Sequence, residues 1–110
     1  LQDLSHITLL SFNFCDLGPG RFAMILPVLP SLTSLQELWL YKNDLGRRGG
    51  ELLAGVVGQL SMLEVLEVGD NKLTGAGVAA VILALRTCPR LRFLSVWGNA
   101  VGAAGAAEGG

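Results

Sequence analysis

Few residues in this chain carry side chains able to do covalent or metal chemistry. His6 is the only histidine, and Cys15 and Cys88 are the only cysteines. A nucleophile needs a base within hydrogen-bond reach, and a metal needs several His, Cys or carboxylate ligands at characteristic spacing. His6 stands alone just ahead of an alternating stretch, and no Cys/His cluster has ligand spacing. Gly18-Pro19-Gly20 and Gly46-Arg47-Arg48-Gly49-Gly50 superficially suggest phosphate loops, since glycines feeding a helix N-terminus bind anions. The Lys-Ser/Thr pair of such a loop is absent, however, and the glycines recur at a fixed interval, as strand-to-helix turns would. Arg47, Arg48, Arg86, Arg90 and Arg92 lack the stacking aromatics on their own face that a nucleic-acid surface uses. Glu37 and Glu67 need a pocket before they can work as acid and base. The sequence therefore predicts no catalytic residue, no metal and no cofactor. What stands out is Trp39, Tyr41, Phe93 and Trp97, with Glu37, Lys42, Glu67 and Asp70 among them. Their chemistry is non-covalent recognition.

A repeat positions these side chains. Leu35, Leu38, Leu40, Asn43 and Leu45 form a skeleton that returns as Leu63, Leu66, Val68, Asn71 and Leu73. It returns again as Leu91, Leu94, Val96, Asn99 and Val101, and an earlier copy is Ile7, Leu10, Phe12, Cys15 and Leu17. The starting positions 7, 35, 63 and 91 are each 28 apart. A period between about 20 and 50 residues signals a solenoid or array. Further columns share the register: Gly49, Gly77 and Gly105, then Ile25, Leu53 and Val81, then Leu29, Val57 and Leu85.

Each copy reads as strand, turn, helix. The alternation in Glu37-Leu38-Trp39-Leu40-Tyr41 buries Leu38 and Leu40 and turns Glu37, Trp39 and Tyr41 outward. Neighbouring copies must pair as parallel strands, which need a crossover, and a helix supplies it. The spacing predicts helices over about 50–60 and 77–86, the second stopped by Pro89. Pro27 and Pro30 predict a first convex segment that is short, bent or partly 3₁₀. Asn43, Asn71 and Asn99 fall at the turns, where an amide side chain both donates to and accepts from unpaired backbone groups. They predict an asparagine ladder whose first rung, Cys15, is the weakest. Strands spaced at about 4.8 Å and helices at about 8–10 Å force the stack to curve with its sheet inside.

This pattern resembles the leucine-rich repeat, in the longer ribonuclease inhibitor-like subtype with a full helix per copy. The resemblance covers nearly the whole chain. It implies an α/β leucine-rich repeat solenoid, a horseshoe segment with a parallel β-sheet on the concave face and α-helices on the convex face. The first copy departs from it, with Arg21 in the glycine column and Gly20 one residue early. Proteins resembling ribonuclease inhibitor often display aromatics on the concave surface to grip a protein ligand. A regulatory role resembling that of Ran GTPase-activating proteins, which use the same repeat, has no GTPase-directed residue here to support it.

At 110 residues the chain is read as one unit: a partial repeat at 1–6, then repeats starting at 7, 35, 63 and 91, the last truncated. Leu1 and Leu4 fall on helix columns and Gly105–Gly110 on the start of a helix, so the chain is expected to continue into further repeats at both ends. Apolar residues at 51% suffice for a core, and a formal net charge of −1 offers no field to draw nucleic acid or an anionic membrane. No secretory signal or membrane span is legible. The register sets Cys15 and Cys88 three repeats apart, too far for a disulfide. Two buried free thiols and the absence of a glycosylation sequon favour a reducing, cytoplasmic setting.

Outward positions carry the functional reading. One column runs Leu9, Glu37, Val65, Phe93; the next Ser11, Trp39, Glu67, Ser95; a third Asn13, Tyr41, Gly69, Trp97, with Phe14, Lys42, Asp70 and Gly98 at the rim. Inward positions are forced to be aliphatic, whereas outward ones are free, and both Trp, the only Tyr and Phe93 occupy them. The expected function is non-catalytic protein–protein interaction with Trp39, Tyr41, Phe93 and Trp97 as anchors and Glu37, Glu67, Lys42 and Asp70 for orientation. The alternative is a structural or regulatory segment of a larger receptor-like or GTPase-regulating protein that makes its contacts elsewhere.

Overall fold

A computed structural model describes residues 3–99. Four three-residue strands, β1 (Leu9–Ser11), β2 (Glu37–Trp39), β3 (Val65–Glu67) and β4 (Phe93–Ser95), form one parallel sheet in chain order. Every pairing joins residues 28 apart, so Leu10, Leu38, Leu66 and Leu94 stand in line. The chain returns through α1 (Gly18–Ile25), α2 (Gly46–Val57) and α3 (Thr74–Leu85). Between sheet and helices lies one core, in which Leu38, Leu53, Val57, Leu63, Leu66, Val68, Leu73 and Val81 are buried. Each such side chain contributes about 1.5–3 kcal/mol when fully removed from water. Val101, Gly105 and the helix expected after them lie outside the described residues.

The first convex segment is short and bent, as its prolines predict. α1 ends at Ile25 and passes into a 3₁₀ turn over Leu26–Ser31 that contains Pro27 and Pro30. The other two helices begin earlier than their apolar spacing suggests, at Gly46 and Thr74, because that spacing marks only the buried stripe and not the first turn. Arg47 and Arg48 therefore lie in the first turn of α2 rather than in a loop, with Arg47 paired to Glu51 at 3.2 Å. α3 ends at Leu85, ahead of Pro89, where the Thr87 hydroxyl donates to the Ala84 carbonyl at 3.1 Å. The glycine column lies inside the helices, not ahead of them. A Cβ on Gly50 would stand 3.1 Å from Gly77 Cα and 3.2 Å from Leu73 Cδ2. Gly50 and Gly77 thus let α2 and α3 meet backbone to backbone.

After β2, β3 and β4 the asparagines carry the turn, and after β1 Cys15 stands in their column. Asn43 Oδ1 accepts from the N–H groups of Cys15 (3.1 Å) and Leu17 (3.2 Å), while its amide donates to the carbonyls of Phe12 (2.8 Å) and Leu40 (3.1 Å). One repeat on, Asn71 Oδ1 accepts from the Asn43 N–H, and Asn99 Oδ1 from the Asn71 N–H, both at 2.8 Å. All three asparagines are fully buried. Cys15 departs from the expectation of two buried thiols. It is exposed, because β1 is the edge of the described sheet and only one side of its turn is covered. Cys88 is buried, donates to the Val57 carbonyl at 3.3 Å, and has its thiol pKa pushed up by that burial. Both thiols are free.

The turn also passes through left-handed backbone at one column of the register, where Gly18 (φ 65°), Gly46 (φ 71°) and Thr74 (φ 65°) stand. Glycine adopts that conformation without cost, but a β-branched residue there is an outlier. Thr74 also buries an Oγ1 that has no hydrogen-bond partner. Left-handed backbone costs an L-residue roughly 1–2 kcal/mol, part of which glycine returns through its freer unfolded chain. Thr74→Gly is therefore expected to stabilise the fold by about 1 kcal/mol in urea unfolding. A loss of stability would mean that packing of the Thr74 methyl outweighs the backbone strain.

Candidate functional site

The sheet presents its outward residues in rows fixed by strand register. Leu9, Glu37, Val65 and Phe93 form one row and Ser11, Trp39, Glu67 and Ser95 the next. Backbone pairing continues past the strands, with Phe14 N–H donating to the Tyr41 carbonyl (2.9 Å), Lys42 N–H to Gly69 (3.1 Å) and Asp70 N–H to Trp97 (2.9 Å). Asn13 Oδ1 adds a bond from the Tyr41 N–H at 2.8 Å. These bonds hold the third outward row, Asn13, Tyr41, Gly69 and Trp97, as firmly as the strands themselves.

On this row the aromatic rings make contact. Phe14 meets Tyr41 edge-on at 5.2 Å between centroids, and Tyr41 meets Trp97 at 6.1 Å with ring planes 34° apart. Tyr41 and Trp97 belong to repeats that are not neighbours. They reach each other because Gly69 lies between them without a side chain; a Cβ there would stand 3.2 Å from Tyr41 Cδ1 and 3.3 Å from Trp97 Nε1. Such ring pairs add about 0.5–1.5 kcal/mol beyond the area they bury. Even so, Phe14 remains 66% and Trp97 64% exposed.

The other expected residues are placed differently. Trp39 makes none of these ring contacts and donates its indole N–H to Glu37 at 3.0 Å. Glu67 accepts the Gly69 N–H at 2.8 Å, which fixes its carboxylate beside the Tyr41–Trp97 contact. Lys42 and Asp70 stand at the rim in left-handed turns. Beside them Lys72 is paired with Asp44 at 3.1 Å. Phe93 is exposed on β4, away from the ring series. Val65, in an outward column, is only 5% exposed and belongs to the buried set. The eight expected residues therefore divide into Tyr41 and Trp97 in the ring series with Glu67 beside them, a separate Trp39–Glu37 pair, an isolated Phe93, and Lys42 and Asp70 at the rim. Sequence reasoning left Phe14 at the rim and gave Gly69 no role. The available signal was a side-chain-free residue inside an otherwise aromatic column.

Among the described residues no group of three His, Cys, Asp or Glu is arranged to hold a metal. None of the described helices is long and apolar enough to cross a membrane. His6 is exposed in the turn before β1. What this face offers a ligand is apolar ring surface flanked by fixed carboxylates.

A family model described as "Leucine Rich repeat" matches residues 59–81. The chain is also 35% identical over 98 residues to ribonuclease inhibitor from Sus scrofa, a match covering 88% of this chain. It spans 22% of that relative's length.

Proposed function

The chain is a leucine-rich repeat protein of the ribonuclease inhibitor-like kind, and we propose that its concave sheet binds another protein without catalysing a reaction. One observation carries this reading: Phe14, Tyr41 and Trp97 touch in series on the sheet yet leave most of the Phe14 and Trp97 rings in water. Trp and Tyr are the residues most enriched among binding hot spots. In this role Trp39, Tyr41, Phe93 and Trp97 supply apolar contact, while Glu37, Glu67, Lys42 and Asp70 orient the partner. Glu37 and Glu67 suit that task because each is already held by a hydrogen bond. Free thiols at Cys15 and Cys88 suit a reducing, intracellular setting.

Size shapes the proposal. Four strands at about 4.8 Å spacing give a face of a few hundred Å², against about 800 Å² per partner in a standard interface. Tight binding then draws on further repeats of a longer array. The relative's name makes a ribonuclease the first partner to test. Trp39→Ala and Trp97→Ala together are expected to weaken ribonuclease binding by about 100-fold while far-UV circular dichroism stays unchanged. Unchanged affinity would place the contact on another surface, and no binding by the parent chain would exclude a ribonuclease as partner.

A further inference from the structure

Two features of the concave side share Phe14. One is the ring series Phe14–Tyr41–Trp97. The other is an open cavity of about 410 Å³ at the rim, walled by Phe14 together with Asp16, Lys42, Asp44, Asp70 and Lys72. Three carboxylates meet two ammonium groups there, and Lys72 is already engaged by Asp44 at 3.1 Å. Asp16 and Asp70 are left against Lys42. The balance favours a positive guest.

We propose that this surface takes an extended, proline-rich segment of the partner, with the rings receiving its prolines and the cavity one basic side chain. This rests on the reading of the sheet as a protein-binding face and names what that face grips. The ring series is one side chain wide, its centroids stepping 5.2 Å and then 6.1 Å. A polyproline II segment rising about 3.1 Å per residue covers that length in about four residues. Polyproline II also leaves its carbonyls free to accept hydrogen bonds. Among the described residues the hydrogen bonds of Tyr41 and Trp97 use backbone atoms, and the Tyr41 hydroxyl and Trp97 Nε1 are donors of the kind those carbonyls take. Such a segment is preformed and loses little entropy on docking against aromatic side chains. The exposed Phe14 ring gives an arginine a cation–π face beside Asp16 and Asp70. Gly69 makes the surface possible, because any side chain there would part Tyr41 from Trp97.

Calorimetric titration of the chain with three synthetic ten-residue peptides tests this. The first is proline-rich with one arginine, the second has its prolines replaced by alanine, and the third has glutamate in place of arginine. Binding is expected for the first, with each replacement weakening it by about 10-fold or more. Trp97→Ala in the protein is expected to weaken the first peptide by a similar factor, with the fold checked by circular dichroism. The proposal is overturned if no peptide binds, if all three bind alike, or if the alanine peptide binds best. If the peptides fail while a folded partner still depends on Trp39 and Trp97, only the extended-segment assignment falls. If binding of a folded partner does not depend on them, the protein-binding reading of this face falls with it.

Discussion

Replacing Asn71 with alanine is expected to cost about 2–4 kcal/mol. The side chain is fully buried and works in both directions at once. Its oxygen accepts the Asn43 N–H at 2.8 Å. Its amide donates to the carbonyls of Leu40 (2.6 Å), Val68 (3.1 Å) and Gly69 (3.1 Å). Alanine would leave the buried Asn43 N–H unpaired, while each of the three carbonyls would keep one other donor; an orphaned buried polar group costs about 1–3 kcal/mol, and each lost bond adds to it. At roughly 4–8 °C per kcal/mol for a domain near this size, the melting midpoint would fall by about 10–20 °C. Thermal and urea unfolding followed by circular dichroism measure this. A loss below about 1 kcal/mol would mean that water takes over these bonds.

Gly50→Leu is expected to cost about 2 kcal/mol. Filling a space closed by backbone costs typically 1–3 kcal/mol, only partly offset by up to about 1 kcal/mol of better helix propensity. The obstruction is the Gly77 backbone, which cannot swing aside as a side chain would. Gly55 is the internal control, since it lies in the same helix with nothing within 4 Å of a built Cβ. Gly55→Ala should leave stability equal or slightly raised. Equal effects of the two substitutions would show that α2 and α3 part without cost and would remove the close-approach argument.

How legible these features were depended on whether they repeat. Leu38, Leu66 and the asparagines recur at one interval, so the sequence exposed the sheet register, the inward face and the turn position together. Helix starts were less legible, because the first turns of α2 and α3 hold glycine, arginine and threonine rather than apolar residues. The close approach of Gly50 to Gly77 needed coordinates, since it is a matter of tenths of an ångström and joins two different columns of the repeat. Trp39, Tyr41, Phe93 and Trp97 were legible as outward rings. Their division was not, because it turns on Gly69 having no side chain and on Glu37 capturing the Trp39 indole. Cys15 was misjudged for a similar reason: no described strand covers the far side of its turn.

Identical spacing of the rungs also decides which genetic changes the fold absorbs. Asn43 and Asn71 each hand an N–H to the asparagine one repeat on, at the same 2.8 Å. Excising residues 46–73 would deliver the Asn43 N–H to Asn99, the acceptor that Asn71 uses now, and the sheet would close with one strand fewer. Losing a single residue within a turn would throw every later rung out of line. The architecture therefore grows and shrinks by duplication or loss of whole 28-residue units. Such an excision would also remove Gly69 and bring Tyr41 and Trp97 into adjacent repeats, so a stable shortened molecule would inherit a narrower binding face.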